Sequence, residues 1–349
     1  HLNMSTISGN SASEDGGGVY NYYAMPDFYN STLEGNTAGN NGGGMYNAAS
    51  SPSFINTDFL DNTASGYGGG MYNFNNTSSL VNGIFSGNTA ASGGGMYNNA
   101  SAPRLTNCTF SGNAADNGAG LFNSAGSAPV VVNSILWGDT PNEIDGLSGV
   151  PVVTYSDIQG GYAGEGNINA DPRFVNPEDG DYHLKPRSMC IDSGNNAAPN
   201  LPVVDFEGDL RILDGNFDGT ATVDMGADEA YFATQPVPVT IYVDVKAHGA
   251  DDGTSWKDAY LHLHPALATA LPGDQVWVAK GTYQPTKEFI LGDPRSASFQ
   301  LRNGVAVYGG FTGTENSLEA RDWVAHETIL SGDLNGDDGP DFANDGDNS

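Results

Sequence analysis

Residues 85–101 read FSGNTAASGGGMYNNAS, a stretch without charge that contains three consecutive glycines. By composition it resembles a flexible linker. The glycine run nevertheless recurs at 16–18, 42–44, 68–70 and 93–95 and, as GAG, at 118–120, in steps of 26, 26, 25 and 25 residues. A second word occurs in phase with it: ISGN at 7, LEGN at 33, FLDN at 59, FSGN at 85 and 110, and a drifted copy, LWGD, at 136. Two words in fixed phase define a repeating structural unit.

Alignment of the repeats places apolar residues in three columns. They are Leu2, Phe28, Phe54, Leu80, Leu105 and Val131; Ile7, Leu33, Phe59, Phe85, Phe110 and Leu136; and Val19, Met45, Met71, Met96 and Leu121. Three strands of roughly four to six residues, joined by Gly and Asn corners, use one period. We therefore predict an all-β parallel β-helix, a solenoid with 25–26 residues per coil. Like residues should stack at the normal strand spacing of about 4.8 Å.

The non-apolar columns also have structural interpretations. The triple glycines suit corners that need positive φ. Two asparagine columns, one after each word, predict ladders of amide hydrogen bonds that fix the register between coils. The residues of these columns are Asn10, Asn36, Asn62, Asn88 and Asn113, and Asn21, Asn47, Asn73, Asn98 and Asn123.

A fourth column is aromatic. It contains Tyr20, Tyr46, Tyr72, Tyr97 and Phe122. Strand alternation places it opposite the third apolar column, and therefore on the outside of the coils. Two interpretations stay open: a stripe that stacks on sugars or on a neighbouring molecule, or rings that stack on one another.

The paired words F-x-x-N and G-G-x-apolar resemble the polymorphic outer-membrane protein repeat over residues 1–139. Gly-Gly-Gly-Met stands where that family commonly has Gly-Gly-Ala and an aliphatic residue. This resemblance implies a right-handed parallel β-helix of the kind found in bacterial surface proteins and adhesins.

Residues 153–196 and 205–230 resemble the end region of large secreted bacterial β-helix proteins of the choice-of-anchor type. The resemblance implies β-helix coils over residues 1–158 and the C-terminal end region of that β-helix over residues 159–232.

The sequence changes character after residue 232. Pro236 and Pro238 lie in an apolar stretch that predicts a stiff linker over 233–240. Ser255 and Asp258 form a capping-box pattern, which predicts an amphipathic helix over about 256–270 that Pro265 would kink or shorten. Residues 241–349 resemble the beginning of a β-helix of the same type, in which such a helix covers the first coil.

The order of the parts is thus reversed, with an end before a beginning. The chain is expected to be a window from a longer protein with tandem β-helix domains, a subunit whose front half completes the β-helix of the next copy, or an artificial fragment. The first residue, His1, lies inside a repeat, so we expect the natural N-terminus elsewhere. In the first two cases the ends of β-helices meet, and unpaired strand edges favour assembly with copies of the chain or with adjacent domains.

Composition narrows the functional classes. The 349 residues carry a formal net charge of -30, which argues against nucleic acid as a partner and favours cations. The two cysteines, Cys108 and Cys190, are expected to be buried thiols. No run of 18 apolar residues occurs, so we expect no membrane insertion.

No catalytic residues are predicted. Arg104 is the only basic residue before residue 173, whereas lyases of acidic sugars need cationic groups at the substrate. The acids Glu34, Asp58 and Asp61 on adjacent coils are better explained as solvated surface groups than as the opposed pair of a glycosidase.

Two segments resemble the start of a Ca²⁺-binding loop. In DGNFDGTATVD the candidate ligands are Asp214, Asn216 and Asp218, with Asp224 near the last position. In DLNGDDGPD they are Asp333, Asn335 and Asp337. Structural Ca²⁺ is the expected cofactor, and Asp/Asn/Gly turns are the alternative.

These features predict a secreted bacterial cell-surface protein, a β-helix rod with a structural or adhesive role that assembles end to end into a filament, sheath or surface layer. The alternative is a β-helix that binds or degrades polysaccharide, with surface polysaccharide as its partner.

Overall fold

The computed structural model describes residues 1–288, 290 and 292–334. The chain forms two compact units. The first comprises His1–Gly215 and Thr220–Phe232, and the second comprises Asn216–Gly219 and the chain from Ala233 onward. The four-part division inferred above, with its boundaries at 158, 232 and 240, stays a prediction.

The first unit is a stack of about six coils whose strands all pair in parallel with the strand one coil away. One face contains Leu2–Asn3, Asp27–Glu34, Ser53–Leu60, Ser79–Val81, Arg104–Thr106, Val130–Val132 and Val152–Thr154. The second contains Thr6–Ser8, Ile84–Ser86, Thr109–Ser111, Ile135–Trp137 and Asp157–Ile158. Asp27–Glu34 and Ser53–Leu60 span both faces and join them into a 12-stranded sheet.

The third face closes each coil. Its strands are Val19–Tyr22, Met45–Ala48, Met71–Phe74, Met96–Asn99, Leu121–Ser124 and Ile144–Gly146. Ser11–Ala12, Thr37–Ala38 and Thr63–Ala64 form a small fourth sheet at one corner. Met71 lies directly beside Met45 and Met96, so the register equals the sequence period. The predicted parallel β-helix is confirmed.

The predicted apolar columns form the interior. Phe28, Phe54, Leu80 and Leu105 of the first column are at most 1% exposed. In the second column the Phe85 ring stacks on Phe59 at 4.6 Å and on Phe110 at 4.4 Å between centroids. Each coil therefore covers the apolar side chains of the next.

The asparagine ladders are confirmed as well. Along the first, both the backbone N–H and the side-chain amide of Asn62 donate to Oδ1 of Asn88 at 3.0 Å, and the same amide donates to the carbonyl of Leu33 at 2.8 Å. Along the second, Asn73 donates to Asn98 at 3.0 Å. A shift of one coil relative to the next would break these bonds, so the ladders hold the register.

The glycines of each run have different roles. Gly68 has a φ of +68°, as expected for a corner. At Gly69 there is no room for a side chain, because an added Cβ would lie 2.5 Å from the carbonyl oxygen of Gly94 on the next coil. Only the first glycine of the run thus fits the expectation of positive φ, and the second allows backbones to approach closely.

Residues 159–215 and 220–232, here called the side segment, run back along the flank of the coils. The segment contains the antiparallel strands Phe174–Asn176 and Asp181–Leu184, joined by the 3-10 turn Pro177–Asp179. Its Met225 and Cys190 pack with Ile84 and Ile135 from the second face. Asn107 of the coils donates its amide to the carbonyls of Asp224 and Gly226, at 2.9 and 3.2 Å.

The second unit has a three-stranded parallel sheet, Thr240–Val243, Gln275–Ala279 and Ala306–Phe311, and a strand pair, Gly281–Tyr283 with Thr328–Leu330. It also contains the α-helix Leu263–Thr269 and the 3-10 turns Pro294–Ser296 and Leu318–Ala320.

The predicted helix over 256–270 was too long at its start. Tyr260 pairs instead with the first strand, donating its N–H to the carbonyl of Tyr242 at 2.9 Å. Pro265 has no N–H for an intrahelical bond, so it fits only in the first turn of a helix that begins at Leu263. Ser255 and Asp258 do bond to each other, at 2.8 Å between Oγ and Oδ2, but within a turn before the helix.

Candidate functional site: a groove on the flank of the coils

A groove of about 700 Å³ opens between the coils and the hairpin of the side segment. We call it the flank groove. Its coil wall is formed by Asp61, Ser86, Gly87, Ser111, Gly112, Trp137 and Gly138, and its other wall by Asp171, Arg173, Phe174, Pro177, Glu178, Tyr182 and Lys185.

The coil wall is built around the third residue of the repeated word that reads FSGN at residues 85 and 110. Gly87, Gly112 and Gly138 have left-handed φ values of +66°, +68° and +87°. Asp61 occupies the same position one coil earlier and has a φ of +53°. Aspartate tolerates this conformation better than most residues, but glycine adopts it without strain. A Cβ added at Gly87 would collide with the carboxylate of Asp61, so this acid lies over the glycine backbone.

The opposite wall is held against the coils by a buried tyrosine. The hydroxyls of Tyr182 and Ser86 lie 2.5 Å apart, and the Tyr182 ring packs edge-on against Phe174 at 5.1 Å. Burial raises the pKa of the Tyr182 hydroxyl, which therefore stays protonated. The hairpin is thus a fixed wall of the groove.

Two cations on the hairpin lack an ion-pair partner. Arg173 and Lys185 are exposed, and within the described part of the chain neither has a carboxylate at ion-pair distance. The Asp171 carboxylate instead accepts the backbone N–H of Arg173 at 2.8 Å. Sequence reasoning counted only Arg104 among the coils and missed these cations, because the hairpin brings them to the coil surface from a distant part of the chain.

The aromatic column proves to be largely self-covered. Successive rings of Tyr20, Tyr46, Tyr72, Tyr97 and Phe122 stack at 5.0 to 5.4 Å. Tyr67 also stacks on Tyr97 at 4.6 Å. Tyr72 and Tyr97 are only 7% and 6% exposed, whereas Tyr20 is 57% exposed. Of the two interpretations, stacking of the rings on one another is the one the geometry supports in the inner coils.

Comparison with known proteins gives one match. Residues 5–22 match the Chlamydia polymorphic membrane protein repeat. The chain is similar to a surface-protein repeat. The matched stretch contains the first copies of both words, ISGN and GGG, and the coils that follow repeat them. The match and the fold together support a bacterial surface or outer-membrane type of β-helix repeat protein.

No curated protein and no solved structure matches the chain. Among the helices in the described residues, none has the length and apolar character needed to cross a membrane.

The structure describes some, but not all, of the residues predicted to bind Ca²⁺. Asn216 Oδ1 accepts the N–H of Asp218 at 2.9 Å, and within the second unit Asp218 pairs with Arg302 at 3.2 Å. Asp214 and Asp333 are half-buried and have polar partners of their own. Asn335 and Asp337 lie outside the described residues.

Asp224 faces the interior. It is 1% exposed, and its two oxygens accept the N–H groups of Asp192 and Ala230 at 2.7 and 2.8 Å. Within residues 1–288, 290 and 292–334, no three His, Cys, Asp or Glu side chains are grouped to hold a metal ion. Because side-chain amide and backbone carbonyl oxygens can also coordinate Ca²⁺, calcium binding at the Asp214 loop stays a prediction.

Asp224 belongs instead to a buried charge cluster that the sequence did not reveal. Arg211, 1% exposed, donates to the carbonyls of Gly226 and Ala227 at 2.7 and 3.2 Å, and lies 3.8 Å from Glu229. Burial, together with the charge of Asp224, raises the pKa of Glu229 to about 10. Arg211 is the only basic residue between 205 and 230, which is the one sequence signal that could have indicated its role.

Proposed function

We propose that the protein is a cell-surface β-helix rod of a bacterium, with a structural and adhesive role, which assembles end to end with copies of itself or with adjacent domains. The observation that carries the proposal is the stack of coils, in which each coil pairs in register with the next through parallel backbone hydrogen bonds, the kind of contact that can also join the end of one β-helix to another. The match to a surface-protein repeat supports the location.

Hydrogen-bond direction shows what the open edge offers. Thr37 donates its N–H to the carbonyl of Asn10 on the preceding coil at 2.8 Å, and Thr63 donates to Asn36 in the same way at 2.9 Å. Ser11 holds this column position in the first coil. Its N–H therefore points away from the second coil, toward the side on which a further coil would pair, whether of the same chain, of an adjacent domain or of a copy. Such an edge accepts a strand at low cost.

The assembly can be tested by blocking this edge. In Ser11→Pro the outward N–H is lost, whereas Ser11→Ala keeps it. Sedimentation and negative-stain electron microscopy over a range of concentrations should show end-to-end oligomers for the 349-residue chain and for Ser11→Ala, and shorter species for Ser11→Pro. Monomers of the unchanged chain at the highest concentration would refute end-to-end assembly.

Surface display needs a separate measurement. Antibody labelling and protease shaving of intact bacterial cells that express the protein should detect the coils without permeabilisation. Labelling only after lysis would contradict the proposed location, whatever the assembly state.

A second candidate function, carbohydrate binding, is supported by the flank groove rather than by the aromatic column. The groove combines carboxylates, serine hydroxyls, two cations without an ion-pair partner in the described part of the chain, and a half-buried indole. Its ligand class is argued next.

A further inference from the structure

We propose that the flank groove binds a glycan chain whose sugars carry carboxylate groups. The inference deepens the proposed adhesive role. It rests on that role only for the cell-surface location at which the protein would encounter the glycan. Binding itself depends only on the first unit, and so it can be tested without assembly or surface display.

The floor of the groove suits an extended chain. Gly112 and Gly138 lie on successive coils and give a path of about 5 Å without side chains, which ends at the Asp61 carboxylate over Gly87. A Cβ added at Gly112 would meet no atom within 4 Å, so the space above it is open. A ligand that follows the coil axis can therefore approach the backbone along this path.

The cations indicate an anionic ligand. Residues 1–232 contain five basic residues, Arg104, Arg173, Lys185, Arg187 and Arg211. Two of them, Arg173 and Lys185, line this groove and have no ion-pair partner among the described residues, although the protein is strongly acidic. A guanidinium can bind a carboxylate through two parallel hydrogen bonds.

The acids indicate that the ligand also carries hydroxyl groups. Asp61, Asp171 and Glu178 line the same groove, and ionised carboxylates only accept hydrogen bonds. A polyanion without hydroxyls, such as an acidic peptide, has no side-chain donors for these three acids and would be repelled by them, and only two cations would offset that repulsion. A uronic-acid chain uses both sets, because its hydroxyls donate to the acids and its carboxylates bind the cations.

The indole supplies a further donor and an apolar surface. Trp137 is half-buried in the coil wall, and its Nε1–H has no acceptor among the described residues. An aromatic ring beside hydroxyl-binding groups suits a sugar, which has both apolar C–H faces and hydroxyls.

The position of Asp61 fits a binding role. The same column position is glycine in the other coils, at Gly9, Gly35, Gly87, Gly112 and Gly138, and all of them have positive φ. An aspartate here accepts backbone strain that glycine avoids. Placement of a carboxylate over the groove floor is what this strained residue adds.

The test measures binding of oligogalacturonate to the purified chain by calorimetry. The fully methyl-esterified oligomer is the uncharged control, and poly-L-glutamate is the anionic control without sugar. We expect oligogalacturonate to bind at least about tenfold more tightly than either. Equal binding of the esterified oligomer would overturn the acidic class. Equal binding of poly-L-glutamate would overturn the assignment to a glycan.

Variants locate the site. Gly112→Asn should fill the groove and weaken binding by at least about tenfold, while asparagine tolerates the left-handed backbone. Gly35→Asn is its control, since Gly35 has a φ of +61° and open space but lies outside the groove. Arg173→Gln with Lys185→Gln should remove the preference for the acidic oligomer, and Arg104→Gln should not.

Circular dichroism and thermal melting confirm that each variant is folded. If folded Gly112→Asn and the double variant bind as the unchanged chain does, the proposal is wrong. Ser11→Pro should bind normally, so a failure of assembly and a failure of glycan binding give different results.

Discussion

Most buried polar groups of the coils are neutral side chains, above all amides that recur once per coil, whereas the side segment buries a cluster of ionisable side chains that has no counterpart one period away. Asn62 donates its backbone N–H and its side-chain amide to Asn88, and the equivalent asparagines of the neighbouring coils make the same bonds. Arg211 lies 3.8 Å from Glu229, and Glu229 accepts the backbone N–H of Asp224 at 2.9 Å, in an arrangement found at a single place. The comparison shows that one fold can bury polar side chains by repetition or by a unique network, with different sensitivity to substitution and pH.

Loss of the central cation should give the largest effect. Arg211→Met removes the cation that lies beside the buried acids Asp224 and Glu229 and leaves the carbonyl of Ala227 without its donor. We expect a loss of about 3–5 kcal/mol in the free energy of unfolding, measured by urea denaturation. Arg104→Met, at an exposed site on the coils, should change it by less than about 0.5 kcal/mol. A similar small change in both variants would show that the side segment does not depend on this cluster.

Interruption of a ladder should come next. Asn88→Ala removes the acceptor for two donors of Asn62 and the donor to the carbonyl of Phe59. Since each buried group left without a partner costs about 1–3 kcal/mol, we expect a total loss of about 3 kcal/mol in urea denaturation. Asn10→Ala, at the exposed end of the same ladder, should cost clearly less. Equal losses would mean that the amides do not act through burial.

The last coil should respond to pH. Asp139 ends the first ladder by accepting from Asn113 at 2.7 and 2.8 Å, and its own N–H donates to Glu143 at 3.1 Å. Burial, the Asp139 charge and the contact between the two carboxyls raise the pKa of Glu143 from 4.5 to about 10, and burial raises that of Asp139 from 3.8 to about 6. Since the folded state favours the protonated forms, their stabilisation is complete below the unfolded values and is lost as pH rises toward about 10.

Glu143→Gln should therefore flatten this dependence. We expect it to raise the free energy of unfolding at pH 9 by on the order of 1–2 kcal/mol relative to the unchanged chain, with little difference at pH 4. Thermal melting at both pH values provides the measurement. Glu34→Gln, an exposed acid on the coils, should leave the dependence intact. A loss of stability at pH 9 in Glu143→Gln would contradict the burial of a protonated carboxyl.

The smallest effect is expected at the surface of the side segment. Burial lowers the pKa of His183, but hydrogen bonds to Glu207 and Asp181, at 2.9 and 2.6 Å, outweigh it and raise the pKa from 6.5 to about 9. The stabilisation is present below 6.5 and is lost as pH rises through about 9. His183→Gln should cost less than about 1 kcal/mol at pH 6 and nothing at pH 10, because the ring is 40% exposed. The cost should shrink in high salt, and a salt-independent cost would point to packing instead.

The coils were predictable because their information is local and repeated. Phe59, Phe85 and Phe110 each occupy the same position in a word, so one correct alignment places all of them in one interior column. The start of the helix at Leu263 was missed because strand pairing by Tyr260 competes with the capping box. The flank groove was missed for a related reason: Arg173 and Asp61 come together only through the fold.

By itself, the sequence determined the coil period, the interior columns and the amide ladders, since each depends on residues one period apart that pair in register. The tertiary structure alone decided that the side segment returns along the coils, that Arg211 and Asp224 are buried together, and that Arg173 and Lys185 face Asp61 across a groove. Those contacts join residues with no shared spacing, and they form because the side segment must bury its apolar residues against Ile84 and Ile135.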